Sequence, residues 1–187
     1  MIEGYKKCEL GNDLEFADDL VNEMFTILVE YASDDFWKIL KYGEKDALTK
    51  VGNTISQEDK GNMVKQNNYD EDSNELTRIK MIKFNDNIST IAHSEIRIFN
   101  GSWNVPSTNN YVLGIGIEII SHNDIIVLDG VGKTTLNMLR HEILKIFNNA
   151  YVNNNVGKMS ANNTRGAIAL FNSNFQGYQF TLISSSA

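Results

Sequence analysis

The stretch Leu128-Asp129-Gly130-Val131-Gly132-Lys133-Thr134-Thr135-Leu136 is where residue types and spacing come nearest to chemistry. It follows a hydrophobic run and opens an amphipathic one, the setting of a phosphate-binding loop. In such a loop backbone N–H groups wrap the phosphates, a lysine reaches the terminal ones and a hydroxyl holds magnesium. Lys133 and Thr134 would take the last two roles. The full pattern G-x-x-x-x-G-K-[ST] needs a glycine five residues before Gly132, and Val127 stands there. A β-branched side chain obstructs the sharp turn off the strand. Only 54 residues follow Lys133, too few for the parallel strands that complete a nucleotide-binding sheet. No later strand ends in an acid that would hold the metal's water; Ala169-Leu170-Phe171-Asn172 comes nearest and ends in asparagine. The preferred reading is a tight strand-to-helix turn, with Gly130 and Gly132 at special dihedrals and Thr134 or Thr135 at the helix start. The alternative is a small nucleotide-binding protein using the Gly130-Thr134 turn.

Other constellations carry less. Asp34-Asp35 suits a helix start, and Asp70-Glu71-Asp72 lies in a solvated run without the alternating acids, central glycine and closing glutamate of a calcium loop. Ser121 and His122 are neighbours on a strand and face opposite ways. His93, His122 and His141 are scattered, and the single Cys8 excludes an internal disulfide and a multi-cysteine zinc site. No residue is assigned as catalytic, cofactor-binding or metal-ligating, so the expectation is a protein that is not an enzyme and has no cofactor.

The chain has 187 residues, enough for one well-buried domain. Its hydrophobic fraction of 42% and charged fraction of 22% are those of a globular protein. With 17 basic and 24 acidic residues the net charge is −7, which argues against a general nucleic-acid coat. No run approaches the ~18 consecutive apolar residues of a membrane span. The start, with Lys6 and Lys7 followed by Glu9, Asn12 and Asp13, does not read as a secretory signal. A soluble protein made in a reducing cytoplasm is expected, with no membrane partner.

The elements that would position these residues follow from periodicity. Residues 1-50 form an N-terminal helical segment. Asp13 is a candidate cap, and Leu14, Leu20, Val21, Met24, Phe25, Leu28 and Val29 make one apolar stripe. A second helix starts at Ser33-Asp34-Asp35, carries Phe36, Trp37, Ile39, Leu40 and Tyr42, and stops at Gly43. Residues 52-74 read as a polar loop or arm with one helical turn at 58–64, and an arm of that length suits contact with a neighbour. Residues 76-187 hold the sheet and a helix at 133-148. Strands are expected over Ile79 to Phe84, Ile91 to Phe99 with Arg97 opposite Ile96 and Ile98, and Tyr111 to Ser121. The turn-rich segment 100–110 should break the sheet. Gly114 and Gly116 imply close approach of a helix or a backbone on their face. After a turn at His122-Asn123-Asp124, a short extended piece covers Ile125 to Leu128. Leu136, Leu139, Ile143, Ile146 and Phe147 form the stripe of the last helix, and strands at 156–161, 167–171 and 175–184 close the chain. The result is a single α+β domain, a largely antiparallel sheet with N-terminal helices and one central helix packed on it.

Two stretches carry a family resemblance. Phe36-Trp37-Lys38-Ile39-Leu40-Lys41-Tyr42 followed by Lys45-Asp46-Ala47-Leu48 is similar to an N-terminal segment of neck and tail-junction proteins of tailed bacteriophages infecting Gram-positive hosts. Ile117-Glu118-Ile119-Ile120-Ser121-His122-Asn123-Asp124, the turn Leu128-Asp129-Gly130, the helix at 133-148 and Phe175-Gln176-Gly177-Tyr178-Gln179-Phe180 resemble the C-terminal half of the tail terminator-like group. The sequence departs from that pattern in lacking a proline after Leu48 and in its Gly130–Thr134 turn. The resemblance implies a structural virion protein: a homo-oligomeric ring, usually sixfold, that caps the tail tube and joins it to the head connector. Its partners would be other copies of itself, tail tube or sheath proteins and head connector or stopper proteins. DNA would pass through the lumen without specific binding, which the acidic composition suits. A third reading is an adaptor that binds another protein through the 52-74 arm.

Overall fold

The computed structural model describes residues 10–50, 54–64, 77–81, 91–107, 110–152, 157–170 and 172–185. Helices α1 (Leu10–Tyr31), α2 (Asp34–Tyr42) and α3 (Gln57–Met63) precede strands β1 (Ile79–Lys80), β2 (Ser94–Ser107) and β3 (Asn110–His122). Helix α4 (Thr135–Phe147) and strands β4 (Met159–Leu170) and β5 (Phe175–Ser185) follow. The sheet order is β1-β2-β3-β5-β4. Only β1–β2 is parallel; β2–β3, β3–β5 and β5–β4 are antiparallel. The fold is therefore α+β with a mostly antiparallel sheet, as the change of period along the sequence implies.

The core lies between the helices and one face of the sheet. Leu20, Val21, Met24, Phe25 and Leu28 of α1 join Phe36, Trp37, Ile39 and Leu40 of α2 and Leu136, Leu139, Ile143 and Phe147 of α4. They meet Ile96 and Ile98 of β2, Leu113, Ile115, Ile117 and Ile119 of β3, and Phe180 and Leu182 of β5. Those strand residues alternate along each strand, so they occupy one face. Ser33 caps α2 by accepting a hydrogen bond from the Phe36 N–H, and Gly43 ends it in the left-handed conformation at φ 56°. Helix α1 begins at Leu10, ahead of the expected cap at Asp13.

On the other face of the sheet, β2 and β3 carry buried charged groups. Glu95, Arg97 and Glu118 are each no more than 3% exposed. Glu95 receives Arg97 Nη2 at 2.6 Å and Lys80 Nζ at 3.0 Å, with His93 Nε2 3.5 Å away. Burial pushes the Glu95 carboxyl up, but the His93 hydrogen bond and the Lys80 and Arg97 charges outweigh it and hold the group at about 2. The Lys80 bond also ties the short β1 to β2.

Several expectations are corrected. Residues 100–107 do not break the sheet: β2 runs to Ser107 and absorbs the irregularity through register shifts at Asn100/Ser102 and Asn104/Ser107. Gly101 permits this, because a Cβ there would stand 3.0 Å from the Gly116 nitrogen. What covers Gly116 is the Phe99 ring of the adjacent strand, not a helix. The extended piece at 125–128 is a 3-10 turn over Asn123–Ile125, with only Val127 forming an isolated bridge to Thr134. Of the strand expected at 79–84, Ile79 and Lys80 are extended and Met81 bends; residues 82–84 lie outside the described residues. The strands expected at 156–161 and 167–171 are one strand, β4, with a register shift between Asn162 and Ala167; Val156 and Phe171 lie outside the described residues. The helix expected at 133-148 is Thr135–Phe147.

The 52-74 arm is packed in its first half. Ile55 and Met63 are each 2% exposed, and α3, capped by Ser56, sits against α1 and α2. Its residues 52, 53 and 65–74 lie outside the described residues.

Candidate functional site

The turn at 127–134 closes like a small hairpin. Leu128 N–H donates to the Lys133 carbonyl at 3.0 Å and Thr135 N–H to the Ile126 carbonyl at 2.8 Å, on either side of the Val127–Thr134 bridge. Gly130 and Gly132 have φ of 75° and 62°, values that favour glycine, and no atom lies within 4 Å of a Cβ built on either. Asp129 N–H donates to the Lys45 carbonyl at 2.9 Å, fastening the turn to the segment after α2.

Both threonine hydroxyls are engaged. Thr134 is the N-cap of α4, its hydroxyl accepting from Asn137 N–H at 3.3 Å. The buried Thr135 hydroxyl donates to the Ile125 carbonyl at 2.7 Å. The hydroxyl that would hold magnesium in a phosphate-binding loop thus caps a helix instead. Lys133 is exposed. This geometry is that of a strand-to-helix turn.

Beside the turn lies a groove of about 510 Å³ between α2 and α4, with Phe36 and Met138 as apolar walls and Lys133, Asp35 and His141 at its edge. Its floor is Glu142, only 7% exposed, whose Oε1 accepts from Ser33 N–H at 2.9 Å and lies 3.6 Å from Lys145 Nζ. Val127 and Val131 of the turn are 58% and 37% exposed. The groove thus combines apolar walls with ionic groups at its edge and floor.

Sequence reasoning located Gly130, Gly132, Lys133 and Thr134 and missed Glu142. Its signal was its place on the buried stripe of α4, three residues after Leu139, where a charged residue must find a partner. His93 and His122 do come together, their rings 5.2 and 4.9 Å from that of Phe175, whereas His141 lies apart in the groove. Among the described residues no three His, Cys, Asp or Glu side chains are grouped as a metal ion requires. Among them, too, no helix is long and apolar enough to cross a membrane.

No curated protein and no solved structure matches the chain. One family model does: YomW, over residues 33–183, from the cap of α2 to near the end of β5. The name is that of a Bacillus phage SPBc2-like gene product, and no nucleotide-binding family comes with it. Matched over most of its length, the chain belongs to the YomW family and is phage-derived.

Proposed function

We propose that this phage-associated protein is a non-enzymatic structural component of a virion neck or tail, and most specifically a tail terminator subunit. It would assemble as a homo-oligomeric ring on the tail tube and dock the head connector. The single observation that carries the reading is the free flank of the sheet. Strand β4 ends the strand order, and among the described residues nothing pairs with the outer side of Ala167–Leu170. An unpaired strand edge is a liability in a monomer and a joint in an assembly. The phage-derived family, the exposed Val127 and Val131 beside an apolar groove, and the acidic net charge of −7 support the same reading.

The test is direct. Purified phage particles analysed by mass spectrometry should contain the chain in a low, ring-like copy number, and deleting its gene should leave heads and tails unjoined or tails of uncontrolled length. Complete particles lacking the protein would end this proposal. In an imaged ring the lumen should be acidic or neutral, since like charge lets DNA slide without sticking.

A further inference from the structure

Glu142 of α4 holds a buried carboxylate that its own chain uses only in part. The residue is 7% exposed. Its Oε1 accepts from the Ser33 N–H at 2.9 Å, and Lys145 Nζ stands 3.6 Å from that same oxygen, beyond ordinary hydrogen-bond length. The Lys145 side chain is 61% exposed, so solvent weakens its pull. Oε2 accepts no hydrogen bond among the described residues, yet it is not sealed from solvent. A carboxylate offers about four acceptor sites, and leaving a largely buried one short of donors is costly.

Glu142 forms the floor of the groove of about 510 Å³ between α2 and α4, so a group seated there meets this carboxylate. The walls, Phe36 and Met138, suit an alkyl stem. Of the charges lining the groove only Glu142 is buried; Asp35, Lys133 and His141 are exposed at its edge, where solvent screens them. The N-terminus of α4 lies about 12 Å along the helix from Glu142 and is already capped by Thr134. The charge held inside is therefore negative, and its complement is a cation carried on an apolar stem. Arginine answers this better than lysine, because guanidinium is planar, weakly hydrated and forks onto a carboxylate. The volume falls within the ~300–1,000 Å³ of small-ligand sites, room for one long side chain and the backbone that carries it. The chain's net charge of −7 makes a basic partner a better match than a second copy.

We propose that this groove receives an arginine side chain of a separate protein, its stem between Phe36 and Met138 and its guanidinium on Glu142. Asp35 adds a second negative charge at the edge. No residue lining the groove belongs to β4, so the site is distinct from the strand edge invoked for the ring.

The test follows the Ser33 backbone amide by nuclear magnetic resonance, since a cation drawing on the Glu142 carboxylate weakens the bond that Ser33 donates to it. The probe is the tripeptide glycine-arginine-glycine with acetylated and amidated ends. Its control is the same peptide with citrulline, neutral and of nearly equal shape. The arginine peptide should move the Ser33 amide proton upfield and saturably, leaving Ile117 on β3 in place. The citrulline peptide should bind about tenfold more weakly. Glu142→Gln, which keeps an acceptor for Ser33, should weaken the arginine peptide about tenfold while circular dichroism stays unchanged. No saturable movement, equal binding of the two peptides, or an equal response in Glu142→Gln overturns the proposal. A Ser33 signal that moves with protein concentration alone, and that the peptide reverses, would make the occupant a second copy and overturn the separate partner.

Discussion

Ser33 and Glu142 are 109 residues apart in sequence and joined by one hydrogen bond, the Ser33 backbone N–H donating to the Glu142 carboxylate at 2.9 Å. Ser33 is itself the cap of α2, so a carboxylate on α4 steadies the cap from outside. Glu142→Ala should destabilise the protein by about 1–3 kcal/mol, since it strands a partly buried donor, whereas Glu142→Gln, which still accepts, should cost less. Urea denaturation of the two variants checks this ordering, and an alanine variant as stable as the parent would show that the bond contributes nothing.

Stability should fall in acid through Glu95. Its folded-state value of about 2 lies below the ordinary 4.5. A depressed carboxyl stabilises the fold above its unfolded value, and that contribution disappears as pH drops from about 4.5 toward 2. The shift corresponds to roughly 3 kcal/mol. Urea midpoints measured between pH 5 and 2 should decline with a slope that Glu95→Gln flattens. The variant should also be weaker at neutral pH, because Lys80 and Arg97 lose their shared anion.

Two glycine substitutions should differ sharply. At Gly177 an added Cβ would collide with the backbone carbonyl of Ile119 on β3, which cannot move without opening the sheet. Gly177→Ala should fail to yield folded protein. At Gly132 there is open space and only the φ of 62° to strain, so Gly132→Ala should fold and lose about 1–2 kcal/mol. Soluble expression and thermal melting distinguish them.

Lys133→Ala should change stability by no more than about 0.5 kcal/mol, as befits an exposed side chain. The parent protein should show no melting shift with ATP or GTP plus magnesium. A nucleotide-dependent shift abolished by Lys133→Ala would restore the phosphate-binding alternative.

The sequence disclosed elements whose signals are local. Ser33, Gly43, Thr134 and Gly132 each declare a cap or a turn through their own side chain, or lack of one, and each does so in the fold. What it concealed depends on partners far along the chain. Residues 100–107 look like a loop because asparagine, serine and proline favour turns, yet pairing with β3 on one side holds them extended. The short β1 depends on Lys80 reaching a buried Glu95, a contact no periodicity reveals. In the candidate site the turn was legible, while the groove beside it, formed by Phe36 and Glu142 from distant helices, was not.

The residues after α4 give the outer margin of the sheet a direction. Asn149 N–H donates to the Met159 carbonyl at 2.7 Å, Met159 N–H to the Ala150 carbonyl at 2.8 Å, and Ala161 N–H to the Asn148 side chain at 3.1 Å. The beginning of β4 is thereby occupied by its own chain, while among the described residues nothing pairs with the outer side of Ala167–Leu170. Under the assembly proposed above, a neighbouring backbone would be confined to the Ala167–Leu170 end of this margin, so the joint would be short, four residues long.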